Sequence, residues 1–169
     1  LDPTYPDAHN NLGNALKEKG DVDAAIDCYT NAIQHKPNYP EAHNNLGICL
    51  KEQGELDAAI ACYQNALQLQ PNYPDAHNNL GNALKEQGDL TAAIASYHRA
   101  LELKPNDPET HFNLGNAFEE QGDLTAAIAC YSKALEIKPK CSFYHKRLGI
   151  VHYEEGNMQA AISSYKCAI

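Results

Sequence analysis

The sequence predicts an all-α protein, a right-handed α-solenoid (superhelix) of tandem helix-turn-helix units, each 34 residues long. Three observations support this fold class. A proline recurs every 34 residues, each unit contains two glycines at fixed places, and an alanine precedes a tyrosine by four residues in the second half of each unit. A single two-helix unit buries too little apolar surface to fold alone, so tandem units are expected to stack around a continuous core.

The recurring prolines set the boundaries of the units. They are Pro3, Pro37, Pro71, Pro105 and Pro139. We predict a single array over residues 1–169, with units at about 6–39, 40–73, 74–107, 108–141 and 142–169. Residues 1–5 are expected to be the tail of a preceding unit, and the last unit is expected to be truncated. Positions are counted below from the first residue of each unit, so position 1 is Pro6, Pro40, Pro74, Pro108 or Ser142.

Each unit is predicted to contain two helices. Proline at position 1 fits the first helical turn, where its missing N–H has no partner, and the glycine at position 15 ends this helix. Glycine at position 8 and alanine at position 20 remove side-chain bulk where the helices cross, and the leucine at position 7 and the tyrosine at position 24 fill the space between units. Position 18 is expected to cap the second helix, with Asp23, Asp57, Thr91 and Thr125.

The composition excludes several classes of function. Lys and Arg number 13 against 22 Asp and Glu, giving a net charge of −9, and so acidic a surface repels nucleic acid. The chain has no apolar run of about 18 residues, so we predict no membrane insertion. Residues 1–130 carry 7 basic and 19 acidic side chains, whereas residues 131–169 carry 6 and 3. The basic end is either a solvated edge or a local site for anions.

Neither the cysteines nor the histidines suggest a metal site. The six cysteines form no CxxC pair, and three of them share position 23 with two serines, so this position requires a small side chain. We therefore predict reduced thiols and a cytoplasmic location. Five histidines share position 4 and lie about 10 Å apart in stacked helices, too far to bind one metal ion. They are predicted to be half-buried packing residues: His9, His43, His77, His111 and His145.

The sequence also lacks a catalytic constellation. It contains no GxSxG, HExxH or GxxxxGK[ST] motif, and its carboxylates are spread at the spacing of the units. We predict that the chain is not itself an enzyme and needs no cofactor.

The repeated pattern, for example NNLGNALKEQGDLTAAIASYHRALELKP, resembles the tetratricopeptide repeat (TPR) over essentially the whole chain. This resemblance implies a scaffold that binds a protein or peptide ligand. The segment PDAHNNLGNALKE is further similar to the repeats of O-linked N-acetylglucosamine transferases and to bacterial TPR arrays. In those transferases the repeats select substrates and a separate domain performs the chemistry, and a eukaryotic transferase would imply a nucleocytoplasmic location.

The resemblance places positions 2, 5, 6, 9, 12 and 13 on a concave face. Asparagines fill positions 5, 6 and 9 at Asn10, Asn11, Asn14, Asn44, Asn45, Asn78, Asn79, Asn82, Asn113 and Asn116. An uncharged amide donates and accepts hydrogen bonds, so these rows can bind a peptide backbone; alternatively, they solvate the wall or bond to the neighbouring unit. Acidic side chains at position 2 argue against a lysine and arginine clamp for a C-terminal carboxylate. In the fifth unit, Lys146 and Arg147 replace the asparagines and can grip an acidic partner.

These observations predict a protein–protein interaction scaffold that binds an extended or helical peptide segment in its concave groove. Two alternatives stay open. The chain is the substrate-recognition arm of a transferase whose catalytic domain is not in this sequence, or it is a self-assembling array that associates through exposed terminal repeats.

Overall fold

The computed structural model describes residues 5–169, which form ten α-helices and contain no β-strand. The predicted tail of a preceding unit falls almost entirely on residues 1–4, outside the described residues. The chain divides into two compact parts, residues 1–87 and residues 88–169. This division falls between the two helices of the third predicted unit.

The first part contains the helices α1 (Pro6–Lys19), α2 (Val22–His35), α3 (Pro40–Glu52), α4 (Leu56–Leu69) and α5 (Pro74–Gln87). The second part contains α6 (Leu90–Leu103), α7 (Pro108–Gln121), α8 (Leu124–Ile137), α9 (Ser142–Glu154) and α10 (Met158–Cys167). Within each part, consecutive helices pack against each other. The predicted all-α fold of helix-turn-helix repeats is confirmed. Among the helices of residues 5–169, none has the length and apolar character needed to cross a membrane.

Proline and glycine delimit the first helix of a unit as the sequence predicts. Pro6 begins α1, and Gly20 follows its last residue with a φ of 88°. This left-handed conformation suits glycine, which has no Cβ to clash with the backbone. The N–H of Gly20 donates to the carbonyl of Lys17 at 2.9 Å and so satisfies one of the last carbonyls of the helix.

The second helices are capped two residues earlier than predicted. Asp89 and Asp123 accept hydrogen bonds from the backbone N–H three residues later, at 3.0 and 2.9 Å. Since these helices begin at position 17, position 18 already lies inside the first turn. Asp23 therefore serves another purpose, and its Oδ1 accepts a hydrogen bond from Nε2 of Gln53 in the next unit. The expected caps were wrong at Asp23, Asp57, Thr91 and Thr125, and the side chains that cap are Asp21, Asp89, Asp123 and Asn157.

Tyrosine rings packed on glycines hold the two helices of a unit together. A Cβ added to Gly47 would lie 2.7 Å from Cε1 of Tyr63, closer than two carbon atoms can approach without displacement. The same contact joins Gly13 to Tyr29 at 2.7 Å. Tyr29 and Tyr63 are fully buried. Glycine at position 8 was predicted to remove bulk where the helices cross, and at these crossings the missing Cβ makes room for the tyrosine of the same unit.

The helix of the following unit completes each core. In the first part, Cys49 of α3 packs against Ala25 and Tyr29 of α2, and Leu80 and Ala83 of α5 pack with Tyr63 of α4. An aromatic cluster takes this place in the second part, where the rings of Phe112 and Tyr144 stack with centroids 4.7 Å apart. These contacts hold the first helices of neighbouring units side by side.

Candidate functional site

The asparagine rows lie on the first helices of the units. In the first part, α1 contacts α3 and α3 contacts α5, so the three helices form one face. We call it the asparagine face; it comprises Asn10, Asn11, Asn14, Asn44, Asn45, Asn78, Asn79 and Asn82. In the second part, Asn113 and Asn116 lie on α7, and Lys146 and Arg147 lie on α9.

Hydrogen bonds between asparagines join the helices of this face. Nδ2 of Asn45 on α3 donates to Oδ1 of Asn10 at 3.1 Å and to Oδ1 of Asn14 at 3.2 Å, both on α1. Nδ2 of Asn79 on α5 donates to Oδ1 of Asn44 on α3 at 3.0 Å. Asn10 and Asn44 are 6% and 5% exposed. The position-5 amides of Asn10 and Asn44 are therefore structural, and the amides at position 6 are more accessible.

These bonds also fix the orientation of the position-6 amides. Because Asn45 faces two carbonyl oxygens, its NH₂ group must point into the seam between α1 and α3. Its own Oδ1 then points away from both acceptors, and no donor among residues 5–169 contacts the Oδ1 of Asn45 or Asn79. Asn45 and Asn79 are half-buried, while Asn11 on α1 is exposed. The face thus presents carbonyl oxygens, which accept hydrogen bonds, at the spacing of the units.

Asparagines at position 9 have a function that the sequence analysis missed. The hydroxyl of Tyr29 donates to Oδ1 of Asn14 at 2.8 Å, and the hydroxyl of Tyr131 donates to Oδ1 of Asn116 at 2.7 Å. Both tyrosines are fully buried, so this bond replaces the one that their hydroxyls lose with water. The signal was present in the sequence, since each asparagine precedes its tyrosine by 15 residues.

The second unit breaks this pattern. Position 9 of α3 is Ile48, and the buried hydroxyl of Tyr63 has no hydrogen-bond partner among the described residues. Burial is the largest cause that raises the pKa of Tyr63 above its ordinary value of 10.0.

The two basic residues of the fifth unit, Lys146 and Arg147, lie in different environments. Nη2 of Arg147 lies 2.7 Å from both carboxylate oxygens of Glu119 on α7. Oε2 of the same carboxylate lies 2.5 Å from the hydroxyl of Tyr131, which has one proton to donate either to Glu119 or to Asn116. Burial lowers the pKa of Arg147, but the hydrogen bonds and charges of Tyr131 and Glu119 outweigh it and raise this pKa. Arg147 is thus held in an internal ion pair, whereas Lys146 is exposed.

Paired charges line the rim beyond the asparagines. Nζ of Lys51 on α3 lies 2.9 Å from Oε1 of Glu86 on α5, with the two side chains 26% and 44% exposed. Such an exposed pair contributes little to stability. Because the two charges neutralise each other, this pair presents little net charge to a ligand.

The position-4 histidines connect the first helices to the preceding loops. Nε2 of His43, His77 and His111 lies 2.9–3.0 Å from the carbonyl oxygen of the proline six residues earlier. A carbonyl only accepts, so Nε2 carries the proton in each ring. In the part of the chain that the structure describes, no three His, Cys, Asp or Glu side chains are grouped to hold a metal ion.

Tandem helical hairpins packed through glycine and tyrosine define a helical-repeat protein. The TPR repeat model matches residues 13–54, 49–88 and 81–122, and the tetratricopeptide repeat model matches residues 108–141. The chain therefore belongs to the tetratricopeptide repeat family. The repeats make this chain a protein-interaction scaffold, and such scaffolds are in general not catalytic. Comparison with curated proteins gives no significant match.

Several solved structures share this fold. A crystal structure of MamA is 27% identical, with a TM-score of 0.85, over 93% of this chain and 92% of that one. PilF of Pseudomonas aeruginosa is 22% identical, with a TM-score of 0.89, over 96% of this chain and 74% of that one. YrrB, described as a TPR protein with an unusual peptide-binding site, is 22% identical, with a TM-score of 0.77, over 95% of this chain and 83% of that one.

Proposed function

We propose that the chain binds an extended or helical polypeptide segment of a partner protein along its asparagine face. The observation that carries this proposal is the orientation of the position-6 amides. Asn45 and Asn79 donate into the seams between helices, so their carbonyl oxygens are left to accept from the backbone N–H groups of a ligand.

The spacing of these acceptors suits an extended peptide. Stacked helices lie about 10 Å apart, and an extended chain advances about 3.3 Å per residue. One amide of the face therefore meets about every third residue of the ligand. Backbone contacts of this kind tolerate many ligand sequences, and fixing the amides beforehand lowers the ordering cost of binding.

The charge of the chain indicates which ligands are excluded. Residues 1–130 carry 7 basic and 19 acidic side chains, so an acidic ligand is disfavoured there. In the second part, Lys146 on α9 is exposed and is proposed to contact an acidic residue of a partner. Arg147 is proposed to act only indirectly, through its ion pair with Glu119.

A matched pair of substitutions tests the proposal. Peptides of about 12 residues, long enough to meet the three position-6 amides of the face, are selected from a random display library on the immobilised chain and then synthesised. Both Asn45→Ala and Asn10→Ala remove the hydrogen bond between these two residues. Asn45→Ala also removes the bond to Asn14 and takes an amide away from the accessible face. Losing one hydrogen bond weakens binding about 2- to 10-fold, so we expect this loss for Asn45→Ala and a smaller one for Asn10→Ala.

Two results would contradict the proposal. One is a library that yields no binding peptide at all. The other is equal loss of affinity in Asn45→Ala and Asn10→Ala, which would mean that the amide matters only for the fold. Circular dichroism of both variants checks that they remain helical.

Exposed apolar residues favour self-association as a second candidate. Leu12 on α1 is 51% exposed, whereas its equivalents Leu80 and Leu114 are 9% and 2% exposed. Met158 and Ile162 on α10 are 53% and 43% exposed. In this proposal α1 of one copy packs against α10 of another. Light scattering over a concentration series tests it, and a mass that stays monomeric would exclude it.

The resemblance to transferase repeats leads to a third proposal, in which the chain selects substrates for a catalytic domain encoded beyond residue 169. The full reading frame decides this directly. In each of these proposals the chain itself carries out no chemistry and holds no cofactor. It acts in the cytoplasm, or in both nucleus and cytoplasm if it belongs to a eukaryotic transferase.

A further inference from the structure

Ile48 interrupts the asparagine face at its centre. Position 9 is an asparagine on α1, α5 and α7, but α3 carries an isoleucine there. On α3, Ile48 follows Asn45 by three residues and precedes Lys51 by three. Residues three or four apart lie on one side of a helix, so Ile48 lies between an amide of the face and the charged rim.

Position 9 of the fifth unit is also an isoleucine, Ile150. In the second unit, Ile48 leaves two hydrogen-bonding groups without the acceptor that Asn14 provides in the first unit. On α1, Asn14 at position 9 accepts hydrogen bonds from Tyr29 on α2 and from Asn45 on α3. Between α3 and α5, the described bond of Asn79 goes to Asn44 alone. The hydroxyl of Tyr63 on α4 is buried with no partner among residues 5–169. A buried hydroxyl without an acceptor destabilises the fold, so Ile48 reduces stability at this point.

Only part of the Ile48 side chain is buried by packing against the core. Its side chain is half-buried and packs against the cluster of Ala59, Tyr63, Leu80 and Ala83. The remainder is accessible on a surface otherwise made of amides and paired charges. Sites where a sequence departs from the locally stable choice are often functional.

We propose that Ile48 forms the floor of an apolar subsite that binds one aliphatic or aromatic side chain of the peptide ligand. The amides of Asn45 and Asn79, one unit apart, hold the ligand backbone on either side of this subsite. An apolar residue at one fixed place in the ligand is then selected, while the amides tolerate the residues around it. This inference rests on the proposed function and names the residue of the same face that determines specificity.

The test compares peptides selected from a random display library on the wild-type chain and on Ile48→Asn. On the wild type, the selected peptides are expected to share an aliphatic or aromatic residue at one position, and this preference is expected to disappear on Ile48→Asn. In a synthesised peptide, replacing that residue with alanine should weaken binding to the wild type about 10-fold or more, as expected for a buried apolar side chain. The same replacement should change binding to Ile48→Asn less than about 2-fold.

Tyr63→Phe is the matched control, because it removes the unpartnered hydroxyl and leaves Ile48 in place. It should bind the wild-type peptides within about 2-fold of the wild type. If it instead loses affinity as Ile48→Asn does, the effect belongs to the core, and the subsite is refuted.

The outcomes separate the two proposals. If no peptide is selected on the wild type, the proposed function fails and this inference fails with it. If peptides are selected without a fixed apolar residue, or with the same residue on Ile48→Asn, the subsite alone is refuted and binding along the amides stands.

Discussion

Asn45 and Asn10 share a hydrogen bond of 3.1 Å across the seam between α3 and α1. The bond gives the two asparagines different roles although they have the same chemistry. Asn10 is 6% exposed and serves as an internal acceptor, whereas half-buried Asn45 turns its carbonyl oxygen away from the seam. A repeat that places two asparagines side by side can therefore use one to hold the units in register and the other to meet a ligand.

Replacing a core tyrosine by phenylalanine should have opposite consequences in the first and second units. Tyr29→Phe removes a hydrogen bond of 2.8 Å to Asn14 and should destabilise the chain by about 1 kcal/mol. Tyr63→Phe removes a buried hydroxyl that has no partner and should be neutral or stabilising. Urea denaturation of the two variants measures the difference, and equal destabilisation would show that the hydroxyl of Tyr63 is satisfied.

Gly47→Ala should weaken the crossing of α3 and α4. The added Cβ would lie 2.7 Å from Cε1 of Tyr63, and overpacking of this kind costs about 1–3 kcal/mol. The midpoint of thermal unfolding should fall accordingly. The double variant Gly47→Ala with Tyr63→Leu should lose less stability than the two single variants lose together, because the smaller side chain leaves room for the methyl group. Full additivity would mean that the methyl group and the ring do not meet.

Asp107 should make stability depend on pH in the acid range. Its Oδ2 accepts from the backbone N–H of Thr110 at 3.0 Å and from the hydroxyl of Thr110 at 2.6 Å. Burial alone would raise the pKa of Asp107, but these bonds and Lys104 lower it below its ordinary value of 3.8. A lowered pKa stabilises the fold above the unfolded value, and this contribution is lost as the pH falls through the folded value.

The variant Asp107→Asn keeps an oxygen for the cap but not the charge. At pH 7 it should be less stable than the wild type by up to about 1 kcal/mol, the usual contribution of a carboxylate at a helix N-terminus. Below the folded pKa the two proteins should converge. A difference that stays constant from pH 7 to pH 3 would contradict the role given to the charge.

The thiols should react in an order set by burial. Burial raises the pKa of Cys62 to about 11, and burial together with Asp123 raises that of Cys130 to about 11. At pH 8 only about one in a thousand of these thiols is then ionised, whereas Cys167 is exposed. Mass spectrometry of the chain after short treatment with iodoacetamide should find Cys167 modified before Cys62 and Cys130. Early modification of Cys62 would mean that α4 opens readily.

The fold could be predicted from the sequence because each unit uses the same residues for the same packing contacts. Glycine at position 8, alanine at position 20 and tyrosine at position 24 recur with constant spacing, and spacing along a helix determines which residues meet. The caps were misplaced by two residues because both position 16 and position 18 carry residues that cap well. Asp21 is the cap because the helix begins at Val22, and the sequence does not mark that start.

The face that carries the asparagines could be assigned, but not the partner of each amide. Whether Asn44 points to solvent or into a seam depends on the distance between α3 and α5, which the sequence does not give. The same holds for Arg147, whose partner Glu119 precedes it by 28 residues. The bond from tyrosine to asparagine was predictable in principle, since its 15-residue offset repeats in two units.

The tyrosines wedged against the glycines also give the chain its own optical probe. The sequence contains ten tyrosines and no tryptophan, so its near-ultraviolet circular dichroism arises mainly from tyrosine. Rings that are fixed and fully buried, such as Tyr29 and Tyr131, dominate that signal, because mobile rings on the surface average theirs away. Removing one buried ring at a time therefore assigns the spectrum to individual hairpins and lets the loosening of each be followed without an attached dye.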